Sequence, residues 1–287
     1  EVTSWWKHNR EWMQAADILL LDSPDPAVIA EQQMQSSGER FVVFAGTNTF
    51  RDVTASLEGI DKDHATKWVR NSIGIYGNKE VEIADRTITE NFSKIKVSTG
   101  LELYITQGIK QQITIEADDN LHEIIVTKIE NGTLKIYSEK NIWNAKAKKI
   151  HVTVDNLTSI IANSGAAIKS ETVLNVNSLQ VVATSGANIE VEVNGATITS
   201  TATSGANLKL KGTTSLHKTN ATSGASIKAF NLKSDYVKAN VTSGADITIY
   251  ATKDLDARAT SGGDIEYKGN PEKINKNASS GGSIAED

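Results

Sequence analysis

The chain has 287 residues, no cysteine, 6% aromatic residues and a net charge of -5. That length permits one or two domains with a sizeable core, and the missing cysteines exclude a disulfide-stapled mini-protein and a cysteine-ligated metal site. Mild acidity argues against a nucleic-acid binder, which carries a basic face.

Residues 4–21 read as an amphipathic helix, with Trp5, Trp12, Ala15, Ala16 and Leu19 at helical spacing. The segment Asp22-Ser23-Pro24-Asp25-Pro26 breaks it and caps a second helix from Ala27 to Gln35, which Gly38 ends. Phe41-Val42-Val43-Phe44-Ala45 reads as a buried strand, and Gly46 to Asp52 as a turn into a short helix. Another helix is expected around Asp63 to Asn71. Residues 1–76 thus form a small α/β segment. The apolar run Ile18 to Leu21 is far short of the ~20 residues that cross a bilayer. There is no basic-then-apolar leader. The start at Glu1 is expected to mark a processed or trimmed chain, so the missing leader says nothing of compartment.

From 77 to 160 the pattern is β-rich without a clean repeat. Val81-Glu82-Ile83, Ile95-Lys96-Val97, Leu101 to Ile105 and Ile113-Thr114-Ile115 alternate with period two. Asn131-Gly132 marks a hairpin turn before Leu134-Lys135-Ile136-Tyr137. Ile150 to Val154 is a last alternating run before residue 160. This stretch reads as a sandwich-like cap, because the end of a stacked β-array is an open edge that invites aggregation.

From about residue 160 the chain repeats. Ser-Gly occurs at Ser164-Gly165, Ser185-Gly186, Ser204-Gly205, Ser223-Gly224, Ser243-Gly244, Ser261-Gly262 and Ser280-Gly281, at spacings of 21, 19, 19, 20, 18 and 19. Ala or Gly follows each pair, and two residues later comes Ile168, Ile189, Leu208, Ile227, Ile247, Ile265 or Ile284. Short alternating runs such as Ile189 to Val193 lie between the corners. A unit this small buries no face alone, but stacked copies do. Residues 161–287 are therefore expected to form a right-handed parallel β-helix, with glycine turning each corner. Serine hydroxyls are expected to bond corner backbone or each other along the stack. These fourteen residues read as a structural ladder. A serine nucleophile needs a positioned base, and no histidine repeats with them. His151 and His217 are expected to face outward.

Phe92 to Gly100, Leu103-Tyr104-Ile105-Thr106-Gln107-Gly108, Ile115 to Leu121, the Ser-Gly-Ala series and Ile265 to Pro271 together resemble the head GIN domain family of auto-transporter adhesins, common in Bacteroidetes. The resemblance covers about residues 77–287. It implies an exported or surface β-helical protein, extracytoplasmic, with no established reaction and no agreed ligand. A fainter resemblance, at strand 41–45 followed by Gly46-Thr47 and Arg51-Asp52, is to a class 3 lipase fragment. The chain departs from that pattern in lacking a Gly-x-Ser-x-Gly elbow.

Asp246 and Asp264 share one offset after Ser-Gly in adjacent coils, so their carboxylates stack and repel unless a cation or proton is shared. The alternative is a solvated corner position, since Asn188, Asn207, Ser226 and Ser283 share the register. Outward positions are polar, as at Lys209, Lys211, Lys228, Thr248 and Glu266. Asp235, Asp254 and Asp256 form no convincing acid cluster. Trp143, in the polar stretch Glu139 to Lys149, reads either as a binding platform or as cap packing. The expectation is a non-enzymatic binding or adhesion module with no cofactor and no metal. Its partner would be a glycan, lipid or surface protein, met by a solenoid face or by the cap junction at 118–144. A structural spacer, a lipase-like hydrolase remnant in the N-terminal segment and a β-helical polysaccharide-acting enzyme are the alternatives.

Overall fold

A computed structural model describes residues 18–20, 41–43 and 74–287. The chain divides into two compact units, Glu1–Tyr76 and Gly77–Asp287. In the first, Ile18–Leu20 pairs in parallel with Phe41–Val43. The strand expected at 41 is present. Of the helix expected over 4–21, the described residues Ile18–Leu20 form a strand instead, because a short aliphatic run fits strand and helix alike and here finds a strand partner. The tryptophans at 5, 6 and 12, the helices expected at 27–35 and 63–71, and the Gly46-Thr47 turn lie outside the described residues.

The second unit is a parallel β-helix. Among the described residues it contains no α-helix, only one 3-10 turn at Asp119–Leu121. Each strand stacks on its equivalent one coil away. The register runs Ala167, Asn188, Asn207, Ser226, Asp246, Asp264, Ser283 without a slip at this rung. Period-two alternation sends every second side chain inward. Leu103, Ile168, Ile189, Leu208, Ile227, Ile247 and Ile265 are each no more than 3% exposed. Each such buried side chain stabilises by about 1.5–3 kcal/mol. Near the corners the inward rung narrows to Ala162, Ala183, Ala202 and Ala221, all fully buried, where the wall turns and space is short.

The corners explain the Ser-Gly pair. Both residues are left-handed: the seven serines have φ of 51–58° and the glycines following them 63–77°. Two consecutive positive φ values make a type I′ turn, closed in the Ser185 corner by Ala187 N–H donating to Thr184 O at 3.2 Å. The glycine N–H donates to the serine carbonyl of the next coil, at 3.1–3.2 Å through the series. Serine hydroxyls do not bond along the stack. At Ser185, Ser204, Ser223 and Ser243 they meet the preceding threonine of their own coil, as Thr203 to Ser204 at 3.3 Å, and Ser164 donates to Asn163 Oδ1 at 3.1 Å. Along the stack, among the described residues, the one hydroxyl contact at this position is Thr260 donating to Thr242 at 3.1 Å.

Coil geometry also reaches into the stretch read as cap. Ser98-Thr99-Gly100-Leu101 is a corner of the same kind, with Thr99 at φ 58° and Gly100 at φ 66°. Gly100 N–H donates to Ser164 O at 3.0 Å. Lys94–Val97 and Glu102–Gln107 form its strands, lying between the first repeat coil and a further rung made by Thr133–Ser138 and Lys148–Val154. Antiparallel strands then close this end. Gln112–Asp118 pairs with Lys148–Val154 and Val81–Arg86, and Ile125–Glu130 pairs with Thr133–Ser138 through the expected Asn131-Gly132 turn. Asp118, fully buried, joins the loops: its carboxylate accepts from the backbone N–H of Lys79, Lys146 and Ala147 at 2.8–3.1 Å. These bonds hold its pKa below the usual carboxylate range, overcoming burial, which acts the other way.

Two interior features depart from expectation. His217 does not face outward. It is fully buried on the rung of Leu179, Ile198, Val237 and Leu255. Ser200 Oγ lies 2.9 Å from its Nε2 and donates to Thr219 Oγ1 at 2.9 Å. Burial pushes the imidazole pKa down to about 4. The inward phase of a strand is set by neighbouring rungs, so a histidine in that phase is carried inside. At the far end, Lys273–Ala278 and Ser283–Glu286 form an outermost coil that is largely exposed. It places Lys276 and Glu286 on inward rungs, against Tyr267.

Candidate functional site

The first strand after each corner presents two outward rows. One row, short for most of its length, runs Glu102, Ala167, Asn188, Asn207. The other is long: His151, Tyr104, Lys169, Glu190, Lys209, Lys228. Between them an open trough of about 400 Å³ crosses the coils from Glu102 to Lys228. Its floor is the backbone over Leu103, Ile168, Ile189 and Leu208, whose side chains belong to the core. The trough exists because Ala167 and the two asparagines stand low beside tall neighbours.

Its chemistry comes from the stacking. At one end Tyr104 and His151 stack, with ring centroids 5.2 Å apart and an 18° interplanar angle. Burial, then the Glu102 charge, raises the Tyr104 pKa. Lys149 and His151 hold Glu116 at 2.9 and 3.3 Å, and the Lys149 hydrogen bond leads the causes that lower the Glu116 pKa. In the middle, Asn207 Nδ2 donates to Asn188 Oδ1 at 3.1 Å, leaving further amide valences outward. Glu190 is clamped by Lys211 at 2.7 Å and Lys209 at 3.1 Å, and the Lys211 bond leads in holding its pKa low. Exposed pairs of this kind contribute little to stability. Their effect is to fix the wall. Among the described residues, Lys169 and Lys228 have no ion-pair partner.

Asp246 and Asp264 are register neighbours, both exposed, farther along the short row. Their rung continues to Ser226 and Ser283. Among the described residues no three His, Cys, Asp or Glu side chains gather to hold a metal. Trp143 is 45% exposed on the cap, and its carbonyl accepts from Gly77 N–H at 3.1 Å. The structure does not bring Trp143 and the aspartate pair into the trough. Ser200 and His217 make a hydroxyl–imidazole pair sealed from solvent, so no substrate reaches it. Sequence reasoning missed Glu102, Tyr104, Ala167, Lys169 and Glu190. Only the register makes them neighbours, and the Thr99-Gly100 corner that brings Tyr104 alongside was not seen as a coil.

A family model described as "Putative auto-transporter adhesin, head GIN domain" matches residues 91–271. A search of the curated proteins gives no match. Solved structures with the same fold include a putative adhesin from Bacteroides fragilis NCTC 9343, 25% identical, TM-score 0.70, covering 75% of this chain and 100% of its own. A putative lipid binding protein from Parabacteroides distasonis ATCC 8503 is 23% identical, TM-score 0.62, covering 74% and 99%. A putative adhesin from Parabacteroides merdae ATCC 43184 is 18% identical, TM-score 0.61, covering 74% and 98%. With the stacked coils, the Ser-Gly corners and a family match over most of the solenoid, this chain belongs to the head GIN domain family of putative auto-transporter adhesins.

Proposed function

We propose that this protein is a non-enzymatic, extracytoplasmic binding module whose trough along the first post-corner strands receives a glycan. The single observation that carries this reading is the trough itself: about 400 Å³, crossing stacked coils, with Tyr104 at one end, its ring stacked on His151, and the amide pair Asn188–Asn207 in the middle. Aromatic faces take the apolar faces of sugar rings, and side-chain amides take hydroxyls as donor and acceptor at once. A shape open at the side and extended along the stack suits a linear chain better than a compact metabolite, which enclosed apolar pockets favour. Rigidity of the stacked strands keeps the ordering cost of binding on the protein side small. The extracytoplasmic setting rests on the family. Binding through the cap junction near Trp143 is the competing location.

The test is a glycan array probed with the full chain and with Ala167→Arg, which fills the trough floor from an outward position without touching the core. Saturable binding by the parent chain, lost in the variant with unchanged melting, is expected. Binding that survives Ala167→Arg and disappears with Trp143→Ala would move the site to the cap.

A further inference from the structure

We propose that the trough selects a linear glycan bearing carboxylates, held at two lysines that the fold leaves without counter-ions. This inference rests on the glycan-binding reading above. Three cations, Lys169, Lys209 and Lys228, and two anions, Glu102 and Glu190, line the trough. Their pairing is uneven. Glu190 bonds Lys209 and also Lys211, which belongs to the neighbouring outward row. Both bonds fall on Oε1, and among the described residues no ion pair joins Glu190 to Lys169, its neighbour on the other side. Glu102 takes the Tyr104 hydroxyl at 3.4 Å, one coil beyond Lys169. Beyond Lys209 come Lys228 and then Thr248, so Lys228 has no acid on its own row on either side.

The outcome is a pair of exposed ammonium groups three strand spacings apart, about 14 Å, in a chain whose net charge is -5. The asparagine ladder and the Tyr104–His151 stack lie on the path between or beside them. An extended polymer with periodic negative charge can meet both lysines while its hydroxyls meet the amides. A neutral glycan leaves both lysines solvated and gains only the amide and ring contacts. Lysine acts here as a point charge on a flexible stem, which tolerates variation in carboxylate position along a polymer. Exposed charge contacts are screened by salt, so the selectivity is ionic-strength dependent.

The experiment titrates the full chain with oligogalacturonate, oligomannuronate and hyaluronan, each beside its carboxyl-reduced neutral counterpart, at low and high salt. Three chains are compared: parent, Lys169→Gln/Lys228→Gln, and Ala167→Leu, which fills the trough without adding a charge. Both lysines are exposed, so their replacement leaves the melting temperature in place. The expected result is binding of at least one acidic glycan, weakened about tenfold or more by the double lysine change, weakened by salt, and abolished by Ala167→Leu. Equal binding of acidic and reduced glycans, lost in Ala167→Leu but unmoved by the lysine change, overturns the carboxylate inference and leaves the trough as a glycan site. Binding to acidic glycans that ignores Ala167→Leu, or no binding to any glycan of either kind, overturns both readings.

Discussion

The repeat coils and the cap solve the same problem, holding strand edges together, by different means. In the coils from Ser185 to Thr260 the backbone supplies nearly everything: a type I′ corner, a glycine N–H to the next serine carbonyl, and an inward ladder that keeps register at the first rungs after each corner and slips only mid-strand, at Lys209/Lys211 and between Ala229 and Tyr236. In the cap, antiparallel strands and loops of unequal length meet, and one buried carboxylate, Asp118, gathers three backbone donors. Distributed bonding spreads the stability of the coils over many residues. Concentrated bonding makes the cap depend on a single side chain.

The largest effect is therefore expected at the cap. Asp118→Ala takes the acceptor from three backbone N–H groups, that of Ala147 buried and those of Lys79 and Lys146 part-buried, and should cost about 3 kcal/mol. Hydrogen exchange should show early loss of protection at 79–86, 112–118 and 146–149, with residues 188–259 still protected. Uniform loss across both regions would show that cap and coils unfold as one unit, and the comparison would fall.

The coils carry one concentrated feature of their own, the Ser200–His217–Thr219 cluster. The His217 pKa is about 4 when folded against 6.5 for the free side chain. The neutral imidazole is the folded form, so its contribution is complete above pH 6.5. It is lost as pH falls from 6.5 through about 4, amounting to about 3 kcal/mol. Denaturant midpoints measured across that window should slope downward with acid, and His217→Leu should flatten the slope. An unchanged slope in the variant would assign the acid sensitivity to the carboxylates.

Smaller effects test the corners. Gly205 sits at φ +70° with open space where a Cβ would go, so Gly205→Ala incurs only left-handed strain, about 1–2 kcal/mol. Gly212→Ala is the control within the same coil: its Cβ would lie 2.1 Å from Val193 O, and the loss should be clearly greater. Ser204→Ala removes one exposed hydroxyl contact of 3.3 Å and should shift the melting temperature least, with glycan binding unchanged. A large loss of binding with unchanged melting would give the corner serines a functional role.

The repeats were legible because a type I′ corner admits few residues, and Ser-Gly answers that demand seven times. The same rule hid the Thr99-Gly100 corner, where threonine takes the serine position and leucine the alanine position. Its partner coil lies 65 residues later, so no period announces it. His217 was misplaced because its polarity suggested the surface, whereas its phase along Asn207–Thr222 sets its direction. The trough was invisible for a related reason. Its walls join residues about 19 or 65 positions apart, and only the register of the stack makes them adjacent. The left-handed serine itself was unexpected, since non-glycine residues seldom adopt that conformation.

The outermost described coil bears on self-association. A regular solenoid with an open parallel edge is a template on which another β-segment can lengthen the rod into a fibre. Here the rung that carries Ala257 one coil earlier carries Lys276, and the rung of Tyr267 carries Glu286. Any incoming strand would have to bury an ammonium and a carboxylate where every earlier coil buries hydrocarbon or a small uncharged group. Growth by stacking is thus opposed by desolvation of those two charges. The register that builds the core also sets what a strand stacking on this coil would have to bury.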